Sequence, residues 1–271
     1  MAQDQTKTAL SPAERFERLS PTNLFSLEGK TVLVTGSSSG MGEALALTAV
    51  AAGARVITVA RRLDRLKQLA AQHSAIIPIA CDLALDDERQ ALIEQVRRIG
   101  RVDVLINTAG TIGDVVAAEN ETGDQIARTI EVNLVAPFRL SQAFAPEMRA
   151  AGDGAIVNIA SISGVVGIGR IPQASYVASK AGLVGLTREL ASQWGRWGIR
   201  VNAIAAGYFR SEMTQDMYAS PKMVEWLRPR QPLTFTAIPD DFAGTVLLLS
   251  SRAGRFITGQ TFAVDGGWTA I

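Results

Sequence analysis

One cysteine, Cys81, and one histidine, His73, are all the chain holds of the two residues that most often ligate zinc. A single thiol forms no intrachain disulfide, and one Cys with one His falls short of the usual zinc site. A Cys–His nucleophilic pair would require the two to meet in the fold. His73 sits among polar residues at the end of an expected helix and reads as a surface histidine. Charge of one sign is equally scarce. Lys plus Arg total 27 and Asp plus Glu total 26, for a net charge of +1. That balance carries no footprint of a nucleic-acid or membrane-surface partner. No apolar run reaches the length that spans a bilayer, and Met1 to Asn23 lacks the apolar stretch of a signal peptide. The expected location is the cytoplasm. Residues Ser11 to Leu19, opened by Ser11-Pro12, read either as a short amphipathic helix or as an unstructured tail.

What the chain does have is apolar residues, 47% of 271, enough to build the core of one large domain. They fall in short runs: Thr31–Val34, Arg55–Val59, Ile76–Ile79, Val102–Ile106, Ala155–Ile159, Arg200–Ile204 and Phe262–Val264. Runs that are apolar throughout are buried on both faces, as in a parallel sheet. Helical stretches alternate with them: Glu43–Ala52, Leu63–Gln72, Asp86–Ile99, a long one around Glu131, and Tyr176–Trp194. The pattern predicts a single-domain, doubly wound α/β fold of Rossmann type, with a seven-stranded parallel sheet and helices on both faces. The domain should run from 25 to 271, after an N-terminal arm over 1–24. Residues 208–232 break the rhythm with Met, Pro and aromatic residues. They follow a strand's C-terminal end, where ligand sites of such sheets lie, and read as a substrate lid.

Between the first strand and the first helix stands Thr35-Gly36-Ser37-Ser38-Ser39-Gly40-Met41-Gly42. Glycines there permit a tight turn and let backbone N–H groups approach a pyrophosphate at a helix N-terminus. The spacing Gly-x-x-x-Gly-x-Gly is one residue longer than the commonest dinucleotide fingerprint. The residue that distinguishes NAD from NADP lies at the end of the second strand. Here that strand ends in Ala60-Arg61-Arg62, with no carboxylate to accept from a ribose diol. Arg61 offers planar donors to a 2′-phosphate, and Ser37 can add a hydroxyl. NADP is the expected cofactor, with NAD possible. Tyr176 and Lys180 lie four apart and project from one helix face. A free phenol has a pKa near 10 and is a poor base at neutral pH, and a neighbouring ammonium lowers that value. The pair can relay a proton to a carbonyl oxygen, with the hydroxyl of Ser161 donating to the same oxygen.

Taken together, these motifs resemble the classical short-chain dehydrogenase/reductase family, and within it the 3-oxoacyl-carrier-protein reductase-like members. The resemblance covers about residues 27–269. It rests on the glycine loop, Asp82-Leu83, Asn107-Thr108-Ala109-Gly110, Asn133, Ser161, Tyr176-x-x-x-Lys180, and Thr258-Gly259-Gln260 with Asp265-Gly266-Gly267. It implies that Asp82, with Leu83, meets the adenine amino group. It implies that Asn107, Ala109 and Gly110 line the adenosine and ribose side. Lys180, beside Tyr176, would also bind the nicotinamide ribose, and Asn133 would hold a water that links Lys180 to solvent. Gly207, Phe209 and Ser211 match positions that face the carboxamide. It further implies a homotetramer built through the long helices and the C-terminal strand; Ala181, Gly182 and Gly185 permit close helix approach.

Three departures stand out. Thr108 replaces a second Asn, and Ala206 replaces the usual Pro before Gly207, which frees φ there. The stretch from serine to tyrosine is also longer than usual. Counting thirteen back from Tyr176 gives Ser163, whereas the strand end gives Ser161. The strand end is preferred, because a strand fixes a hydroxyl's direction while a loop absorbs insertions. The extra residues then fall within Val165–Pro172, where Arg170 reads as a solvated charge or a substrate contact.

Two functions fit. One is hydride transfer between the nicotinamide and a ketone or secondary alcohol: a β-ketoacyl thioester, a sugar or polyol, a steroid or a xenobiotic ketone. The other is a non-catalytic dinucleotide-binding regulator, which would not need both Tyr176 and Lys180. Trp197 and Ala151-Gly152-Asp153-Gly154 stand where basic residues would dock an acidic carrier protein, which weighs against that substrate. Tyr208, Phe209, Met213, Met217 and Trp226 favour an apolar or amphipathic small molecule.

Overall fold

Each apolar run becomes a strand of one all-parallel sheet in a computed structural model that describes residues 10–271. Residues 1–9 of the expected arm lie outside the described residues. In chain order the first elements are α1 (Pro12–Leu19), α2 (Pro21–Phe25), β1 (Thr31–Thr35), α3 (Gly40–Ala51), β2 (Arg55–Ala60) and α4 (Leu63–Gln72). Then come β3 (Ile76–Ala80), α5 (Asp86–Ile99), β4 (Val104–Asn107), α6 (Gly123–Ile130), α7 (Ala136–Ala151), β5 (Gly154–Ser161) and α8 (Ala174–Trp194). The chain closes with β6 (Ile199–Ala206), α9 (Gln215–Ala219), α10 (Pro221–Leu227), α11 (Ala243–Ser250) and β7 (Thr261–Val264).

The spatial order is β3-β2-β1-β4-β5-β6-β7. Winding reverses between β1 and β4, and the crevice beyond their C-terminal ends is where such sheets bind ligands. Period-two alternation splits the core into two layers. Leu33 of β1 packs with Leu92, Phe144 and Leu190 from α5, α7 and α8. Its neighbours Val32 and Val34 pack with Leu45 of α3 and Leu249 of α11. The sheet therefore carries helices on both faces.

Several features differ from expectation. The long helix around Glu131 is three pieces: α6, a π-helical stretch Glu131–Val135, and α7. Pro137 has no N–H and cannot donate to the carbonyl of Asn133, four residues earlier. The amide of Ala136 instead reaches back five residues to the Glu131 carbonyl. Helix α11 is apolar on every side and shows no helical period in sequence. Segment 208–232 folds into α9, α10 and 3-10 turns. Of the two readings of Ser11–Leu19, the helix is the one present. Ser11 and Glu14 form a reciprocal cap, and α1 buries no residue.

Candidate active site

The crevice between β1 and β4 is shaped by close backbone approach. A β-carbon on Gly36 would sit 2.8 Å from Ala109 Cα, and one on Gly42 would sit 2.3 Å from the Gly36 carbonyl oxygen. Only glycine lets the turn, the start of α3 and the Thr108–Ala109 loop meet. Thr35, at the end of β1, fixes that loop, because its Oγ1 accepts from the amides of Thr108 (3.0 Å) and Ala109 (3.1 Å). Gly36 and Gly40 have φ of +70° and +58°, so the turn places α3's free N–H groups at the crevice. These bare glycine surfaces, with Arg61 and Arg62 beside them, fit a dinucleotide.

At the C-terminal ends of β5 and β6 the serine, tyrosine and lysine expected to handle the proton come together. Ser161 ends β5, its hydroxyl accepting from the Ser163 amide at 3.1 Å and lying close enough to the Tyr176 phenol on α8 to lower its pKa. Packing around the half-buried Tyr176 pushes its phenol pKa up, and the Ser161 hydroxyl partly opposes that. Lys180 is one helical turn on, buried, with Nζ donating to the Ile159 carbonyl at 2.8 Å. Burial pulls its ammonium down to about 8, and Nζ lies 5.7 Å from the Tyr176 ring centre. Asn133, in the π-helical stretch, is fully buried and bonded on both sides. Its Oδ1 accepts from the Thr111 amide, and its Nδ2 donates to the Thr111 carbonyl (2.8 Å each) and to Ser179 Oγ (3.0 Å). A methyl on Gly110 would lie 3.4 Å from Asn133 Oδ1 and 3.5 Å from Lys180 Nζ, so both groups open onto that glycine. Helix α8 is capped from outside, because the Ser175 amide donates to both oxygens of Glu121 at 3.3 and 3.2 Å.

The sequence matches the family model described as enoyl-(acyl carrier protein) reductase over residues 36–269. The chain is 35% identical to a 2-dehydro-3-deoxy-D-gluconate 5-dehydrogenase of Escherichia coli, across 91% of this chain and 98% of that one. It is 37% identical to a 3-oxoacyl-[acyl-carrier-protein] reductase of Rickettsia prowazekii, across 92% and 100%. It superposes with a TM-score of 0.87 and 32% identity on a gluconate 5-dehydrogenase of Burkholderia cenocepacia J2315 in complex with NADP and tartrate, across 92% and 99%. The chain belongs to the short-chain dehydrogenase/reductase family. It is an oxidoreductase that uses a nicotinamide dinucleotide, NADP or NAD, to interconvert secondary alcohols and ketones. The alternative of a non-catalytic regulator finds no support in these relatives, which are named for their catalysis.

Within this dehydrogenase/reductase, several expected site residues take other postures. Ser37 is buried, and its hydroxyl donates to the Val34 carbonyl (2.5 Å) and accepts from the Val59 amide (3.3 Å). It locks β1 to β2 and leaves no hydroxyl for a phosphate. The guanidinium laid against the loop is that of Arg62, bonded to Ser38 Oγ (3.0 Å) and Ser39 Oγ (2.7 Å). Arg61 is exposed and acts on Asp82 through space. Desolvation raises the Asp82 carboxyl, but the Ala84 amide, Arg128 and Arg61 outweigh it and leave its pKa lowered. The side chains of Met41 and Leu83 are buried in the core, so only their backbones face the crevice. Asn107 donates to Asn158 Oδ1 (2.8 Å), whose amide continues to Thr187 Oγ1 (2.9 Å). Its side chain ties β4 to β5 and α8 rather than lining the adenosine side.

Gly207 is pressed against Asp265, where a β-carbon would sit 2.5 Å from Cα. Phe209 turns into the core on Phe242, 5.0 Å between ring centres. Ser211 is held by Thr214, whose Oγ1 accepts from its amide at 3.0 Å. Ala206 does not loosen its loop, because β6 continues through it, paired with Ser161 and Val264. Ser163 turns away to accept from Gln173 Nε2 at 3.4 Å. Arg170 is exposed on its loop. Among the described residues no cluster of His, Cys, Asp and Glu is arranged to hold a metal ion, and no helix is long and apolar enough to cross a membrane.

Proposed function

We propose that the protein is an NADP(H)-linked oxidoreductase of a polyhydroxylated secondary alcohol or its ketone, of the polyol or sugar-acid class. The observation that carries this reading is the convergence of all three tyrosines of the chain. Tyr208 is close enough to both Tyr176 and Tyr218 for their charged forms to repel, and burial pushes its phenol out of the ordinary range. The hydroxyls of Tyr208 and Tyr218 are buried without a partner. Around them Trp226 and Trp268 pack on Tyr208 with ring centres 6.1 and 5.1 Å away. Buried phenols without partners beside the reacting tyrosine suit a ligand that brings several hydroxyls of its own. The names of the gluconate-type relatives lend this class support.

Bound NADPH would supply the hydride. The proton steps belong to this chain: Tyr176 donates its phenol proton to the carbonyl oxygen, Ser161 hydrogen-bonds that oxygen, and Lys180 stabilises the phenolate left behind. Asn133 holds the π-helical stretch against Ser179 and Thr111, beside Lys180, where the proton returns. NADP is favoured because Ala60-Arg61-Arg62 carries no acid and Arg62 lies on the serines of the loop.

Segment 208–232 serves as the substrate lid. Assembly is a closed homo-oligomer, a tetramer by family likeness. The groove between α7 and α8, with Phe138, Leu186, Trp194 and Trp197 on its walls, offers an apolar face for a second copy. Light scattering at micromolar concentration should find no monomer. The deciding assay is NADPH oxidation against polyol-derived ketones, keto sugar acids and β-ketoacyl thioesters. Turnover of thioesters alone would sink the substrate class.

A further inference from the structure

One carboxylate of the lid holds two arginines at the mouth of the dinucleotide crevice. Arg62 Nη1 donates to both oxygens of Glu212 at 3.1 and 3.0 Å, and Arg65 Nη1 does the same at 3.1 and 3.0 Å. The other nitrogens of Arg62 reach Ser38 Oγ (3.1 and 3.0 Å) and Ser39 Oγ (2.7 Å). The Ser39 hydroxyl and then Arg62 hold the Glu212 carboxyl at about 2, so it is an anion at every working pH. Two guanidinium groups thus hold a negative charge just beyond the end of β2, and one of them is itself seated on two hydroxyls of the glycine loop.

That location is where dinucleotide-binding folds sort a 2′-phosphate from a 2′-hydroxyl. The donor set suits a phosphate dianion, and the anion it holds is the protein's own. A 2′-phosphate arriving there meets a carboxylate already seated on the same guanidinium. The adenosine ribose of NAD brings no charge to that place and leaves Glu212 undisturbed. We propose that Glu212 is a built-in competitor of the 2′-phosphate, a residue that restrains NADP selectivity and ties the lid to the phosphate cradle. It rests on the cofactor reading above. By this account NADP(H) displaces Glu212 and frees the start of the lid, whereas NAD(H) leaves it docked.

The test is the affinity of the full-length protein for NADPH and NADH, by fluorescence titration, in wild type, Glu212→Gln and Glu212→Ala. Glu212 is exposed, and glutamine keeps its shape. Both variants should bind NADPH about five- to tenfold more tightly, the sum of two exposed ion pairs, with NADH changed by less than about twofold. Hydrogen exchange adds a readout that a purely structural role would not move. NADPH, and not NADH, should speed exchange at Thr214, whose amide bonds the Ser211 carbonyl at 3.2 Å. Unchanged or weaker NADPH binding in both variants overturns the inference, and so does equal tightening for the two cofactors. A wild type that prefers NADH while the variants gain only NADPH affinity would refute the cofactor preference and uphold the role of Glu212.

Discussion

On the sheet side of the active site, Ser161, Lys180 and Asn133 each have a partner inside the protein. Ser161 accepts from the Ser163 amide, Lys180 donates to the Ile159 carbonyl, and Asn133 is bonded to Thr111 and Ser179. On the side of segment 208–232, the hydroxyls of Tyr208 and Tyr218 have none, and Glu212 is tied to the exposed Arg62 and Arg65. The first wall rests on strand ends and a capped 21-residue helix, the second on a loop, a 3-10 turn and short helices of five and seven residues. A site whose proton chemistry is fixed and whose recognition groups await a ligand can change substrate without changing reaction. That division follows from the sheet, which aligns strand ends and leaves the connections free.

Substitutions on the two walls should therefore fail in different ways. The largest effect is expected at Tyr176→Phe, which removes the proton donor and should lower kcat by about 10³-fold, with NADPH affinity near that of wild type. Retention of a tenth of the activity would show that another group carries the proton. Gly42→Ala comes next, because its methyl would meet the Gly36 carbonyl at 2.3 Å. A clash with backbone should cost roughly 3 kcal/mol and lower the melting temperature by about 10 °C. It should also weaken dinucleotide binding, which calorimetry and titration would read together.

Lys180 sharpens the contrast, because its function is bought at the expense of stability. Its folded pKa of about 8 lies below the ordinary 10.5, so between these values the unfolded chain holds a proton that the folded chain does not. Its contribution to stability therefore rises with pH across that window, and the burial cost stands in full below pH 8. Lys180→Met should be inactive yet more stable at pH 7, by up to about 3 kcal/mol less the lost Ile159 bond. The gain should shrink toward pH 10 in urea melts, and a gain independent of pH would contradict this. The smallest effect belongs to the lid. Tyr208→Phe removes a hydroxyl with no partner in the protein and should stabilise by about 1 kcal/mol. With a hydroxylated substrate it should raise KM about tenfold while kcat changes little. An unchanged KM would place Tyr208 outside substrate recognition.

The same division governs what the sequence discloses. Strands that are apolar throughout, a glycine turn at a strand end and Tyr176 four residues before Lys180 are local patterns, and each lies where its pattern predicts. Side-chain direction within a turn is not local. Arg61 and Arg62 look alike in sequence, yet Arg62, with φ −88° and ψ 82° ahead of α4, is the one that lies on the loop. Asn107 and Phe209 carry plausible site chemistry but are spent on neighbours far along the chain, and Ser37 joins Val34 to the distant Val59, which no window reveals. Glu121 and Glu212 act across 54 and 150 residues and leave no motif at all.

Cys81 is the only sulfhydryl of the chain. It is 3% exposed, and burial, with Glu88 and Asp82 adding to it, pushes its pKa to about 12. At neutral pH it is an inert thiol. The natural chain is thus a silent background for site-directed labelling, with no cysteine to remove beforehand. Met213 is 53% exposed and adjacent to Glu212. Met213→Cys would put one reactive sulfur on segment 208–232, where a single dye would test the proposed lid as cofactor and substrate arrive.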